Sequence, residues 1–243
     1  DEPASGSTEE HLSRFRAAEA VVREAGLSPR VRHLAATGGL LWHPAARLDL
    51  VRAGIGLYGL SPDPGVATAD ELGLRPVMRL EAPLTQVKRV PAGQAVSYGG
   101  TWTAPTGRWL GLVPLGYADG VPRIAANAPV RIYPRDAEAK TYRVVGRIAM
   151  DQLVVDLGEP GLSSPELGYL GARAVLFGAG PNPPVEEWAE ASETINYEVV
   201  TRISPRVIRI YSGGTWIERE IDVLHSLDEA LKDIDTSVPE GAQ

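Results

Sequence analysis

Leu12, Phe15, Ala18, Val22 and Ala25 recur at steps of three and four residues, the period that places apolar side chains on one helix face. Ser7 and Glu10 have capping-box spacing. They predict a helix that starts at Ser7 and satisfies its first amides through side chains. Gly26 supplies the stop. Val31–Ala35 reads as a short buried strand, Gly38–His43 as a short helix, and Leu48–Arg52 as a second strand running into Gly54-Ile55-Gly56. Strand, helix and strand in alternation predict part of an α/β layer or barrel.

The pattern changes near Arg75. Residues from Met78 to Val90 alternate in strand fashion, and Trp109–Leu115, Val130–Tyr133, Tyr142–Ile148, Leu153–Leu157 and Ala174–Phe177 follow as strand candidates punctuated by Gly and Pro. That profile predicts an antiparallel β domain. One helix, Val185–Ala191, interrupts it. Arg206–Tyr211 and Trp216–Ile221 read as closing strands, and Leu224–Ile234 as a short amphipathic helix. Pro62–Gly73 is the expected linker. The division that follows is 1–72 for the α/β part, 73–215 for the β domain and 216–243 for a C-terminal extension. There is no internal repeat and no low-complexity tract.

The 243 residues are 44% apolar, enough for a substantial core and against global disorder. The net charge of -7 is spread with both signs along the chain. Without a long basic run, neither nucleic acid nor an anionic membrane is expected as a main partner. Cysteine is absent, which removes disulfides, thiolate metal sites and thiol nucleophiles together and fits a reducing, cytoplasmic setting. No metal site is expected. No run of about 18 apolar residues marks a membrane span. The chain begins at Asp1, as a processed product or a fragment would.

Five short runs carry candidate chemistry: Asp49–Gly59 (DLVRAGIGLYG), Val96–Gly99 (VSYG), Gly116–Gly120 (GYADG), Gly146–Gln152 (GRIAMDQ) and Ile195–Glu198 (INYE). Tyr117 follows a glycine, where backbone bends sharply and a ligand can come close. As a base at neutral pH a phenol needs a positive charge nearby. Read locally, Tyr117 is first a turn tyrosine packing on a sheet edge. Arg52 at a strand end reads as a surface ion-pair residue, and His33 as a structural histidine. Thr37 opens a helix, whose N-terminus offers amides and a positive dipole end to an anion, or it is a plain N-cap. Tyr197 reads as a half-buried strand aromatic. Arg147 and Asp151 read as sheet charges, and Met150 as core.

Taken together and in order, these runs resemble the alanine racemases, from about residue 27 to about residue 212. The resemblance implies the C-terminal part of a pyridoxal 5′-phosphate (PLP)-binding, TIM-type (β/α)8 barrel followed by an antiparallel, β-barrel-like domain. It implies interconversion of L- and D-alanine, with D-alanine supplied for peptidoglycan. In that family the residue matching Tyr117 exchanges the α-proton on one face of the cofactor of the neighbouring subunit, and a lysine does so on the other face. The implied partners are therefore an amino-acid substrate and a second copy of the chain in a homodimer. Arg52 would face the pyridine nitrogen, supported by His33. Thr37, the amides of Gly54 and Ile55, and Tyr197 would hold the phosphate. The Met150 amide would take the substrate carboxylate, and Asp151, Arg147 and Ile195 would shape the entrance.

Three departures qualify that picture. The cofactor lysine is missing: the lysines present are Lys88, Lys140 and Lys232, all in the predicted β region or tail. The chain is therefore expected to be a C-terminal portion, inactive alone, with the N-terminal portion of the same protein as a partner. Ala36 stands where the family usually has asparagine, and Ala149 where cysteine is common. A racemase of serine or of a broader amino-acid range is the alternative activity, ahead of related PLP barrel decarboxylases. A non-catalytic β domain used for dimerisation is the alternative of another class.

Overall fold

The computed structural model describes residues 6–159 and 166–212. The expected strand at Trp216–Ile221, the helix at Leu224–Ile234 and the extension 216–243 lie outside the described residues. The chain divides into two compact units, Asp1–Arg206 and Val207–Gln243.

The first unit opens with α1 (Ser7–Glu24), β1 (His33–Ala36), α2 (Thr37–Trp42), β2 (Leu50–Arg52) and α3 (Gly54–Leu57). α1 ends as expected: Gly26 takes a positive φ of 82°, and the Gly26 and Leu27 amides donate to Arg23 and Val22. The expected capping box does not form. Gly6 is the cap, in a left-handed conformation without a side-chain bond, and Ser7 is already helical. Of the expected apolar face only Leu12 is buried, whereas Ala18 is exposed. β1 and β2 pair in parallel, with His33 opposite Leu50 and Ala36 opposite Arg52. Asp49 pins their entry: its carboxylate accepts from the Arg32 amide at 2.9 Å and from Arg32 Nε at 2.7 Å. Its own amide donates to the Arg32 carbonyl.

The β region holds β3 (Leu80–Pro83), β4 (Gln86–Val90), β5 (Ala95–Val96), β6 (Trp102–Thr103), β7 (Arg108–Val113), β8 (Pro129–Tyr133), β9 (Lys140–Val144), β10 (Leu153–Gly158), α4 (Glu166–Tyr169), β11 (Arg173–Phe177), α5 (Val185–Glu190) and α6 (Asn196–Thr201). The main sheet has seven strands in the order β3-β11-β8-β9-β10-β7-β4, all antiparallel. Its two edge strands are consecutive in the chain and are joined by Leu84 and Thr85 alone. The expected single strand over 78–90 is therefore two strands that change partner at a corner. The Leu84 amide donates to the carbonyl of Ala172, just before β11, and the Thr85 amide to that of Leu112 on β7. A sheet whose edges meet in two residues must curl, as in a barrel, and the fully buried Leu84 plugs the corner.

Burial explains the strand sequences. Leu153 and Val155 on β10 are buried and alternate with half-buried neighbours, whereas Ala174, Val175, Leu176 and Phe177 on β11 are all buried. β11 is covered on both faces because α5 lies over it. The buried Trp188 indole donates to both the Pro129 carbonyl at 2.9 Å and the Leu176 carbonyl at 2.6 Å. The hairpin of β5 and β6 covers a second apolar cluster of Val90, Val96, Ala104, Leu110 and Val145. In the second unit, residues 207–212 form no strand. The expected strand at Arg206–Tyr211 is irregular backbone.

Candidate active site

Arg52 ends β2, at the carboxyl end of a parallel strand pair. That is the end where α/β folds place ligands. Its Nη1 lies 2.7 Å from His33 Nδ1, and its Nη2 donates to the Leu34 carbonyl at 3.2 Å. A guanidinium has donors only, so Nδ1 accepts and the His33 proton sits on Nε2. Among the described residues the partners of Arg52 are this imidazole and the Leu34 carbonyl, not a carboxylate. His33 aims this cation.

Thr37 is buried and is the first helical residue of α2, with Ala36 in the capping position. Its Oγ1 accepts from the Gly56 amide of α3 at 3.2 Å, so it ties two helix starts together and is not a plain cap. Gly56 permits this approach, since a Cβ there would lie 2.9 Å from Thr37 Cγ2. None of the described hydrogen bonds uses the Gly54 or Ile55 amide. Those two donors remain free for an anion.

Tyr197 lies in α6, not in a strand. The helix docks on the segment after α3: Asn196 Nδ2 donates to the Ser61 carbonyl and to Glu186, each at 3.0 Å. The Tyr197 hydroxyl stands 3.5 Å from the Pro62 carbonyl. Burial, with the Asp63 charge adding, raises its pKa. The phenol stays protonated at neutral pH and remains a donor.

Tyr117 occupies a one-turn helix, Tyr117–Asp119. Asp119 Oδ2 accepts from the Gly116 amide at 2.9 Å, and the Asp119 amide returns a bond to the Gly116 carbonyl. The turn is fastened to a second one. The Tyr117 amide donates to Ala149 at 3.0 Å and the Ala118 amide to Met150 at 2.9 Å. A Cβ on Gly116 would sit 2.3 Å from the Met150 carbonyl oxygen, so only glycine fits. The Met150 carbonyl is thus used, while its amide has no acceptor among the described hydrogen bonds. The Tyr117 side chain is 40% exposed and Met150 52%, which rejects the core reading of Met150.

Asp151 accepts from Arg206 Nη2 at 2.8 Å, and Arg206 Nε stands 3.4 Å from Asp119 Oδ1. Sequence reasoning missed Arg206, taking it as the first residue of a strand. The preceding Ser204-Pro205 was the available turn signal. Arg147 follows Gly146, whose φ is 72°. Its carbonyl accepts from the Ser97 hydroxyl, and its guanidinium lies over Gly99. Ile195 caps α6 and is exposed.

The structure therefore gathers the candidates into separate groups. His33, Arg52, Thr37, Gly54 and Ile55 lie around the ends of β1 and β2. Tyr117, Met150 and Asp151 lie on two fastened turns, and Ile195 and Tyr197 on α6. No hydrogen bond or ion pair joins the Arg52 group to the Tyr117 group among the described residues.

Comparison with known proteins follows the same division. A family model described as "Alanine racemase, C-terminal domain" matches residues 77–211, and one described as "Alanine racemase, N-terminal domain" matches residues 1–62. An alanine racemase of Streptomyces coelicolor is 50% identical over 214 residues, 87% of this chain and 52% of that protein. One of Thermobifida fusca is 47% identical over 217 residues, 88% of this chain and 54% of that protein. Among solved structures, the Streptomyces coelicolor alanine racemase superposes with a TM-score of 0.79 at 49% identity, covering 88% of this chain and 54% of that one. The alanine racemase of a D-cycloserine-producing Streptomyces lavendulae does so with a TM-score of 0.78 at 45% identity, covering the same shares. The chain spans about half the length of the curated relatives it matches. With both family models matched in order, and the fold and sequence shared with these relatives, this chain belongs to the alanine racemase family.

Proposed function

We propose that this chain carries one acid/base group, the substrate-carboxylate contact and part of the cofactor cradle of an alanine racemase that interconverts L- and D-alanine. The observation that carries the proposal is the fastening of two turns. A half-exposed phenol, Tyr117, and an unpartnered amide, that of Met150, are locked to one another by two backbone hydrogen bonds. An α-amino acid held by its carboxylate at the amide would have its α-carbon at a set distance from the phenol.

The residues fit PLP. The Gly54 and Ile55 amides have no acceptor among the described hydrogen bonds, Thr37 holds the next amide, that of Gly56, and the neutral Tyr197 hydroxyl can donate to a phosphate. Arg52, aimed by His33, would face the ring nitrogen. When bound, PLP disperses the charge left on the α-carbon as its proton departs. A guanidinium keeps its own proton, so Arg52 would hold the ring nitrogen by hydrogen bonding without protonating it. This favours return of the α-proton over side reactions. Tyr117 would move that proton on one face. The opposite face requires a second base. Lys88 lies on β4 and Lys140 on β9, in the seven-stranded sheet and not on the β1–β2 pair, and Lys232 lies outside the described residues. The family resemblance implies that a lysine of the N-terminal portion would supply it.

That no described hydrogen bond or ion pair joins Tyr117 to the Arg52 group within one chain is consistent with a homodimer in which each phenol serves the other subunit's cofactor. Residues 1–72 are assigned to the C-terminal part of the cofactor-binding barrel, 73–215 to the domain bearing Tyr117 and 216–243 to an extension. The family-model bounds at residues 62 and 77 support the first division.

The test uses the polypeptide expressed from the complete reading frame that encodes this chain, supplied with PLP. Interconversion of the alanine enantiomers and uptake of solvent deuterium at the α-carbon should both occur. Tyr117→Phe should suppress exchange starting from one enantiomer far more than from the other. Equal and small effects on both would refute the role of Tyr117.

A further inference from the structure

Arg206 lies outside every role assigned so far, yet it touches both turns of the proposed site. Its Nη2 donates to Asp151 Oδ1 at 2.8 Å, next in sequence to the Met150 amide, and its Nε stands 3.4 Å from Asp119 Oδ1, two residues from Tyr117. The other oxygen of Asp119 accepts from the Gly116 amide at 2.9 Å. The same segment grips the turn by backbone as well. The Ser204 amide donates to the Asp119 carbonyl at 2.9 Å. Gly120, with φ 98°, abuts Arg202 so closely that a Cβ would lie 2.3 Å from the Arg202 carbonyl oxygen. The Arg206 amide is itself fixed to Ser204 Oγ at 3.2 Å.

We propose that Arg206 is a positioning residue: it bridges the carboxylates of Asp119 and Asp151 and so sets the distance between the Tyr117 phenol and the Met150 amide. This rests on the racemase reading of that site. A guanidinium can bridge two carboxylates because its donors lie in a rigid fork, whereas an ammonium is a point charge. The bridge is half exposed on the arginine side, where an ion pair adds little to global stability. Its value is therefore geometric. The amide bonds from Tyr117 and Ala118 to the 149–150 turn fix one side of the site, and Arg206 closes the other.

Two measurements test this. The first needs no cofactor: amide hydrogen exchange at Tyr117 and Ala118. Arg206→Gln should speed exchange there by up to about five-fold and leave the β7–β10 ladder unchanged. Unchanged exchange at both amides overturns the proposal. The second is the α-deuterium isotope effect on kcat from each enantiomer in the PLP-loaded enzyme. A misplaced phenol slows one of the two proton transfers. Arg206→Gln should lower kcat by roughly ten- to a hundredfold. It should also raise the isotope effect for the enantiomer deprotonated by Tyr117 and lower it for the other. Arg206→Lys should restore only part of the rate. Arg202→Ala removes a neighbouring guanidinium paired with Glu198, and it should leave both isotope effects unchanged. A loss of rate with both isotope effects unchanged in Arg206→Gln means a lower folded fraction only, and overturns the positioning role. If the unaltered enzyme exchanges no α-proton, the racemase reading fails, and the amide exchange alone decides whether Arg206 holds the turn.

Discussion

Replacing Gly116 by alanine separates the fastening of the two turns from ordinary backbone preference. Gly116 has φ -143° and ψ -165°, extended backbone that alanine adopts freely. The obstacle is contact alone. The new Cβ would lie 2.3 Å from the Met150 oxygen and 2.4 Å from the Ala149 oxygen, where ordinary contact begins near 3.4 Å. The shortfall is about 1.1 Å, and both obstacles are backbone carbonyls that cannot rotate away. They are also the acceptors of the Tyr117 and Ala118 amides at 3.0 and 2.9 Å. Moving the turns apart by the shortfall stretches both bonds to about 4 Å, beyond hydrogen-bonding range. Overpacking costs about 1–3 kcal/mol, and each lost bond about 0.5–1.5 kcal/mol. A less flexible unfolded chain offsets about 0.4–1 kcal/mol. A net loss of about 2–4 kcal/mol lowers the melting temperature by roughly 5–15 °C for a unit of this size. A phenol displaced by about 1 Å should lose about a hundredfold in α-proton exchange. Thermal unfolding and deuterium uptake from each enantiomer measure the two effects. A Gly116→Ala protein that melts within 2 °C of the parent and keeps its exchange rate within about threefold refutes the reasoning.

Other substitutions probe the supports of the site. The Arg32 hydrogen bond holds the Asp49 carboxyl down to about 2, so the folded pKa lies below the unfolded one. The stability it contributes is present above about pH 4 and is lost as pH falls towards 2. The melting-temperature gap between parent and Asp49→Asn should therefore close between those pH values, and a gap equal at pH 2.5 and pH 6 speaks against the pairing. Trp188→Phe leaves the Pro129 and Leu176 carbonyls without their indole donor and should cost about 1–3 kcal/mol by denaturant titration. A change below about 0.5 kcal/mol would mean that neither bond matters. Leu84→Ala empties the corner where the sheet edges meet and should cost about 2–5 kcal/mol. A milder cost, with the β3–β11 amides still protected from exchange, would show that the corner is closed by backbone alone.

How much of this was legible in the sequence depended on the range of the interactions. Periodicity located α1, the β1-α2-β2 alternation, α5 and most strands of the sheet; in the strands burial on one face leaves a period in the chain, whereas of the α1 face only Leu12 is buried. It failed at the corner of the sheet. Met78, Leu80, Ala82 and Leu84 alternate in one phase up to the corner, and the partner changes from β11 to β7 there. Candidate residues were found because their runs resemble a family, and their local readings were often wrong. Read alone, Arg52 is a surface ion-pair residue, Thr37 either an anion-binding helix start or a plain cap, and Tyr197 a strand aromatic. Local sequence cannot decide these for one reason. The deciding contacts, His33 for Arg52, Gly56 for Thr37 and Pro62 for Tyr197, are 19, 19 and 135 residues away. Arg206 reaches 55 residues back to Asp151, and no short-range signal marks it. In a site built from turns fastened across a sheet, the chemistry-bearing residues leave motifs, whereas the residues that hold them apart leave only geometry.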